Sequence, residues 1–529
     1  MGSKSGSRKK SRKKHARKKI IKLFTVATIL TALILLSIHA FFDLFEKDIF
    51  DFVVKQIEKN SGGLYTVKYD RVDLNFFQGS IHIKNFSINM DKAALNKITS
   101  DSTQKKLLIE ATLPVLKIEG ISIFNLIFSK SVSIKNISLK DGELAIFKHT
   151  EFEKKKPILH IPRCSFHFSR FRINWGLKKN SNSPPKKNIY FYFKSGKITL
   201  KDSCFTLPGE FYTLKAKQLN VSKAKSSITF QSLELIPAYS IYRFARIKGY
   251  RTNRISLKID NMEFKDIDFD GLFEQQGFYT RLLTIAGPEL DIFRDRSIPK
   301  GSPPKEKKFP QQLLRELKFK LGIEEVKISK GNIAFSLSTV IRKKRKLGKI
   351  FFTDIEATIK NVTNDTGLLK SKASIEVNAD AKLMGKGILN ANFTIPIHSK
   401  RNRFTFSGSL GKIKMKEFNS ILENTAFVRI NRGIINRVDF SARANNNRIK
   451  GEMKLLYKDL KISLLKKIEK QEKRKLASFF ANIILRGENP KKGKPVRIGK
   501  ILYDKERPMS MFGYVWKSLL SGIKSSIGI

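Results

Sequence analysis

From Tyr65 onward, apolar and polar residues alternate with a period of two over about 400 residues, the pattern of strands that have one apolar face. "GKITLKDSCFTL", "NRISLKI", "SKASIEVNADAKL" and "NRFTFSGSL" are typical stretches. A chain patterned this way folds mainly as β-sheet, and the apolar face must be covered by another layer or by some other apolar material.

The alternation slips in a recurrent way. In "IHIKNFSI" the apolar positions are Ile81 and Ile83, then Phe86 and Ile88, one residue out of phase. Val132–Leu139 ("VSIKNISL") and Ala357–Asn364 ("ATIKNVTN") repeat the pattern, and Leu257–Phe264 ("LKIDNMEF") is a looser copy. Three copies also spell the glycan acceptor Asn-x-Ser/Thr. The fourth keeps the Asn and the slip without the Ser or Thr, which favours a backbone role. Asn tolerates unusual backbone angles, so Asn85, Asn136, Asn261 and Asn361 are expected to mark bends or β-bulges where strands curl.

The first 22 residues contribute eleven of the formal net +58 charges, from Lys4 to Lys22 with no acidic neighbour. Leu23–Phe42 ("LFTVATILTALILLSIHAFF") is then uncharged throughout, about 30 Å long as a helix and enough to span a bilayer. It has no convincing small-x-small cleavage site after it, so it reads as an uncleaved anchor. The excess of Lys and Arg before the span places residues 1–22 in the cytoplasm and the bulk of the chain across the membrane. The rest of the excess charge favours anionic surfaces without choosing between nucleic acid and lipid. Nucleic acid is disfavoured, because the basic residues lie mostly in turns and polar strand faces and follow no recognisable module. The 41 Phe against 2 Trp and 12 Tyr supply apolar area with no polar handle.

The expected organisation is a basic tail (1–22), an anchor (23–42), a membrane-proximal amphipathic helix (43–63), a β-rich unit (64–297), a linker (298–312), a second β-rich unit (313–508) and a C-terminal amphipathic helix (509–529). Gly62-Gly63 would cap the membrane-proximal helix. "SIPKGSPPKEKKFP" has linker composition. In the last helix Phe512, Val515, Trp516, Leu519, Leu520, Ile523 and Ile527 form one apolar stripe opposite Lys517, Ser521 and Lys524.

Catalytic and metal signatures are weak. "DIDFDG", Asp266–Gly271, begins like a calcium loop, but its twelfth position is Gly277, which cannot supply the bidentate carboxylate. "HIPRCSFH" offers His160, Cys164 and His167, with Cys164 and His167 on opposite faces of a strand. Neither a P-loop, nor HExxH, nor GxSxG occurs. No enzymatic activity, cofactor or metal is expected. Cys164 and Cys204, the only cysteines, could form one bridge or be two small buried residues.

Several segments, in order, resemble the AsmA-like family of bacterial envelope proteins, in its domain-of-unknown-function branch. They include "YTVKYDRVDLNFFQGSIHIKNFSI", "LELIPAYSIYRFARIKGYRTNRISLKIDNMEFKDIDFDGLF", "GPELDIFRDRSIP", "LGIEEVKISKGNIAF", "NADAKLMGKGILNANFTI", "GEMKLLYKDLKISLLKK" and "MFGYVWKSLLSGI". Where relatives often carry Tyr-x-Glu, this chain has Phe335-Ser336-Leu337. The resemblance implies an N-terminal transmembrane helix followed by a long, curled, groove-like sheet of the β-taco type, with a few short helices. It also implies a bacterial inner-membrane protein whose bulk is periplasmic, distantly related to TamB-like proteins. On that basis phospholipids are the expected partners, carried against an apolar lining that includes Ile81, Ile83, Ile134, Leu257, Ile259 and Phe335. The alternative is an assembly scaffold whose sheet edges receive outer-membrane proteins.

Overall fold

The structure is a computed structural model that describes residues 51–528, apart from 52–53, 56–57, 60, 76–77, 92–106, 123–130, 149–156, 178–186, 274–276, 302–306, 342–343, 369–373, 426, 466–485 and 507–508. The basic tail and the expected anchor at 23–42 lie outside the described residues. Among the described residues no helix is long and apolar enough to cross a membrane. Of the membrane-proximal helix, Asp51, Val54, Lys55, Glu58 and Lys59 are helical. It stops at Gly62 and Gly63, both left-handed, with the Gly63 N–H donating to the Glu58 carbonyl at 2.9 Å.

The described chain is mainly β and divides into two compact units, one reaching Pro157 and including Pro162–Gly196, the other comprising Ile158–Ile161 and Lys197–Ile529. In the first, β1 (Tyr65–Lys68) and β2 (Arg71–Asn75) lie end to end along β3 (Ser80–Met90). β3 pairs antiparallel with β4 (Leu107–Ile121), and β4 with β5 (Ser131–Lys148). β6 (Leu159–Leu177) pairs with β7 (Lys187–Tyr192).

The second unit begins as an antiparallel meander of β8 (Ser195–Thr206), β9 (Tyr212–Ser222), β10 (Ser227–Pro237) and β11 (Asn253–Ile267). Helix α1 (Arg243–Lys248) lies between β10 and β11, and α2 (Phe269–Phe273) follows β11. β12 (Phe278–Ala286) and β13 (Glu289–Asp295) then lie end to end on β11, and both run parallel to β14 (Leu321–Ile341). Parallel neighbours need a crossover, and here it is the segment after β13, containing α3 (Pro310–Arg315). The stretch at 298–312 that reads as a domain linker is therefore a crossover inside the second unit. Its composition is that of a linker because its exposed parts, residues 299–301 and 307–308, call for the same turn-forming and charged residues.

The meander resumes through β15 (Lys344–Thr363), β16 (Ser374–Leu383), β17 (Gly387–Pro396) and β18 (Phe404–Leu410). After the short β19 (Ile413–Lys414) and α4 (Asn419–Thr425) come β20 (Val428–Ala444), β21 (Arg448–Leu464) and β22 (Ile498–Asp504). The chain closes with α5 (Met511–Ile527).

The main core is in this C-terminal part. Phe309, just before α3, is fully buried, stacked on Tyr514 of α5 at 6.2 Å and edge-on to Phe404 at 5.9 Å. Ile397, Ile449, Met453, Leu455 and Ile501 pack around them. Helix α5 is capped at its start by the Ser510 hydroxyl, which accepts from the Gly513 N–H, and ends in left-handed Gly528. A side chain at Gly522 would meet Ile501 at 2.8 Å, so helix and strand approach as closely as glycine allows. The small residues of α5 also cover the free edge of β22. Ser525 accepts from the Lys500 N–H at 2.9 Å and Ser521 from the Leu502 N–H at 3.1 Å. Ser521, assigned from sequence to the polar face, thus bonds to the sheet edge. The contact satisfies amides that would otherwise invite another strand.

Candidate functional site: a half-buried apolar face

Cross-strand pairing brings the alternating apolar residues into rows. Leu200, Leu219, Phe230, Met262, Ile285 and Ile328 form a row across β8, β9, β10, β11, β12 and β14. Leu235, Leu257, Leu290, Ile333 and Phe352 form a second from β10 to β15. Every residue of both rows is half-buried. The rows nearer the C-terminus differ, with Phe404, Phe406, Ile449 and Met453 buried beneath α3 and α5. The same sheet thus has a portion sealed by helices and a portion whose apolar face retains exposure.

The expected lining residues fall into such rows. Leu257 is in the second row, Ile259 is paired with Leu233, and Phe335 is paired with Ile292 and Ile350. In the first unit Ile81 is flanked by Leu74 and Ile118, and Ile83 by Val72 and Leu116. Ile134 pairs with Ile121. Of the six, Ile83, Ile134 and Ile259 are buried and Ile81, Leu257 and Phe335 half-buried.

The phase slips are what keep these residues on one face. Ile323 and Val326, three apart on β14, would point to opposite faces of a regular strand, yet both are buried in one cluster with Leu283. Their partners Val362 and Ile359 on β15 pack against the same cluster and flank Asn361, which is left-handed at φ 62°. Register is unchanged across the slip, from Ile323↔Val362 to Glu325↔Lys360. No residue has been inserted on either strand, so the bulge expected at Asn361 is a paired change of face instead.

Asn85 behaves alike, with φ 50° between the in-register pairs Lys84↔Val115 and Phe86↔Leu113. Its Nδ2 donates to Asp70 Oδ2 at 2.6 Å. Asn136 and Asn261 correct the expectation further, since neither is left-handed and pairing continues in register beside both. There the slip falls one residue earlier, and neighbouring strands supply the unusual backbone. Gly120 (φ 66°) lies opposite Lys135, and Ser232 (φ 50°) and Gly287 (φ 62°) flank Asp260. Because pairing holds the strands in step, a change of face in one requires a change at the same level in the next.

The weaker candidates disperse. Asp266 is left-handed and paired with Arg281 at 2.6 Å, Asp268 accepts from the Gly271 N–H at 2.9 Å, and Asp270 pairs with Lys223 at 2.6 Å. Three carboxylates with three separate partners do not make a calcium loop, and among the described residues no cluster could hold a metal ion. Cys164 and Cys204 are half-buried free thiols, and burial pushes the Cys164 thiol up. A cluster that the sequence reading passed over lies at the end of the apolar face, where Arg294 sits over the Phe335 ring at 5.7 Å. No protein-family model matches the chain, and no curated protein matches it.

Proposed function

We propose that this chain is a membrane-anchored envelope protein of the AsmA-like kind that binds phospholipid acyl chains along its apolar face and conveys them between the inner and outer membranes. The observation that carries the reading is the half-buried row from Leu200 to Ile328, apolar in each of its six strands. Acyl chains are long and apolar, and a ladder of aliphatic and Phe side chains offers them continuous contact without any directional group. Extraction of the full-length chain in mild detergent, followed by mass spectrometry of its organic extract, tests this. Phospholipid should accompany the protein, and Phe230→Lys with Met262→Lys should reduce its amount severalfold. Equal lipid on both proteins would count against the proposal.

A further inference from the structure

Arg294 occupies an apolar position. On β13 it shares the face of Leu290 and Ile292, its guanidinium lies 5.7 Å from the Phe335 ring centre, and its Nε donates to Asn253 Oδ1 at 2.7 Å. Arg251 is fixed beside it, donating from Nε to the Ile298 carbonyl at 2.8 Å and from Nη2 to the Arg296 carbonyl at 2.7 Å. Neutral acceptors therefore hold both guanidinium groups, and each has N–H donors left over.

Among the described residues, Arg251, Arg294 and Arg296 have no carboxylate within ion-pair distance. The carboxylate next in sequence, Asp295, is occupied on both oxygens. Oδ1 accepts from the Ser297 N–H at 2.9 Å and its hydroxyl at 2.6 Å, and Oδ2 from Arg345 Nη1 at 2.9 Å. The like charges act on one another. Burial, then the charges of Arg251 and Arg296, push the Arg294 guanidinium down, and burial followed by Arg294 does the same to Lys307. Burial and then Arg296 also push Arg251 down, with Asp295 opposing them in part. A half-buried cation among cations is unfavourable until an anion joins it.

We propose that Arg251, Arg294 and Arg296, at the end of the apolar rows, bind the phosphate of an anionic lipid headgroup. The inference rests on the lipid reading of the face. Guanidinium forks match phosphate oxygens in pairs, and the Ile255–Ile292–Phe335 row starts directly beside them. One amphiphile satisfies both, its phosphate on the arginines and its chains along the row. Free phosphate would satisfy only the arginines.

The test uses the full chain in uncharged detergent, with mixed micelles of dioleoyl phosphatidylglycerol or dioleoyl phosphatidylcholine, and separately inorganic phosphate. The wild type should prefer phosphatidylglycerol by about tenfold, the worth of about one charge-assisted hydrogen bond. Arg251→Gln with Arg294→Gln should abolish that preference, lowering phosphatidylglycerol uptake more than that of phosphatidylcholine, whose choline cation already offsets the phosphate charge the arginines meet. Arg296→Gln, at an exposed position, serves the same purpose if the double variant does not fold. A preference that survives these substitutions overturns the proposal. So does arginine-dependent binding of inorganic phosphate that phosphatidylglycerol fails to displace, which would assign the site to the free ion. If the wild type takes up neither lipid, the lipid reading itself fails, and the headgroup site with it.

Discussion

Ile323 and Val326 are separated by two residues on β14 and bury their side chains in the same cluster, 8% and 6% exposed. Regular pleating forbids this, and Glu324, opposite left-handed Asn361, is where the face changes. The slip lets a strand carry polar residues such as Glu324 and Glu325 in succession without surrendering its apolar face.

If the left-handed backbone of Asn361 makes the slip, a β-branched residue there must be strained. Asn361→Val should cost about 1–2 kcal/mol, while Asn361→Gly should be nearly neutral. Urea unfolding of both variants checks this. Equal stability would mean that the slip does not depend on that residue.

The seal of α5 over β22 depends on two serine hydroxyls. Ser521→Ala with Ser525→Ala should destabilise by about 1–3 kcal/mol in total, since each net hydrogen bond is worth about 1 kcal/mol. Hydrogen exchange at the Lys500 and Leu502 amides should accelerate, because those groups lose their acceptors. Unchanged exchange would show that the helix protects the edge by coverage alone.

Tyr279 and Asp365 define a pH window. The Tyr279 hydroxyl donates to Asp365, and this bond, with the Gly367 N–H, holds the carboxyl below its usual range. Burial, then Asp365, pushes the Tyr279 hydroxyl up to about 12. The depressed carboxylate stabilises the fold above its unfolded value and loses that contribution as pH falls through the folded one. The raised phenol is the reverse case, fully stabilising below its unfolded value and failing as pH rises toward 12. Their contribution should therefore be intact between about pH 4 and about pH 10. Thermal melting of Asp365→Asn across pH should show a flatter acid limb than the wild type.

Much of this was legible in the sequence. Alternation identified the strands and placed Leu257 and Phe335 on the apolar face, and the Asn-centred slips pointed to changes of face. What was hidden depends on partners. Gly120, Ser232 and Gly287 look like ordinary turn or strand residues until they are seen opposite the slip of a neighbouring strand. Ser521 reads as part of a polar face with Lys517 and Lys524 because a serine in a helix cannot announce a sheet edge beside it, and the same bond by Ser525 was not anticipated. The crossover through α3 was concealed by its linker-like composition, since only the parallel pairing of β12 and β13 with β14 distinguishes the two. Arg294 did leave a signal, as the cation at an apolar position in "LDIF" followed by Arg-Asp, but its neighbours Arg251 and Phe335 are distant in sequence.

The central claim is that the half-buried rows hold lipid, and the lipid content of the full-length protein tests it most directly. Mass spectrometry of the purified chain should find phospholipid at a fixed ratio to protein, and the ratio should fall when Phe230 and Met262 are replaced by lysine. A lipid-free wild type, or a ratio that does not respond to those substitutions, would contradict it.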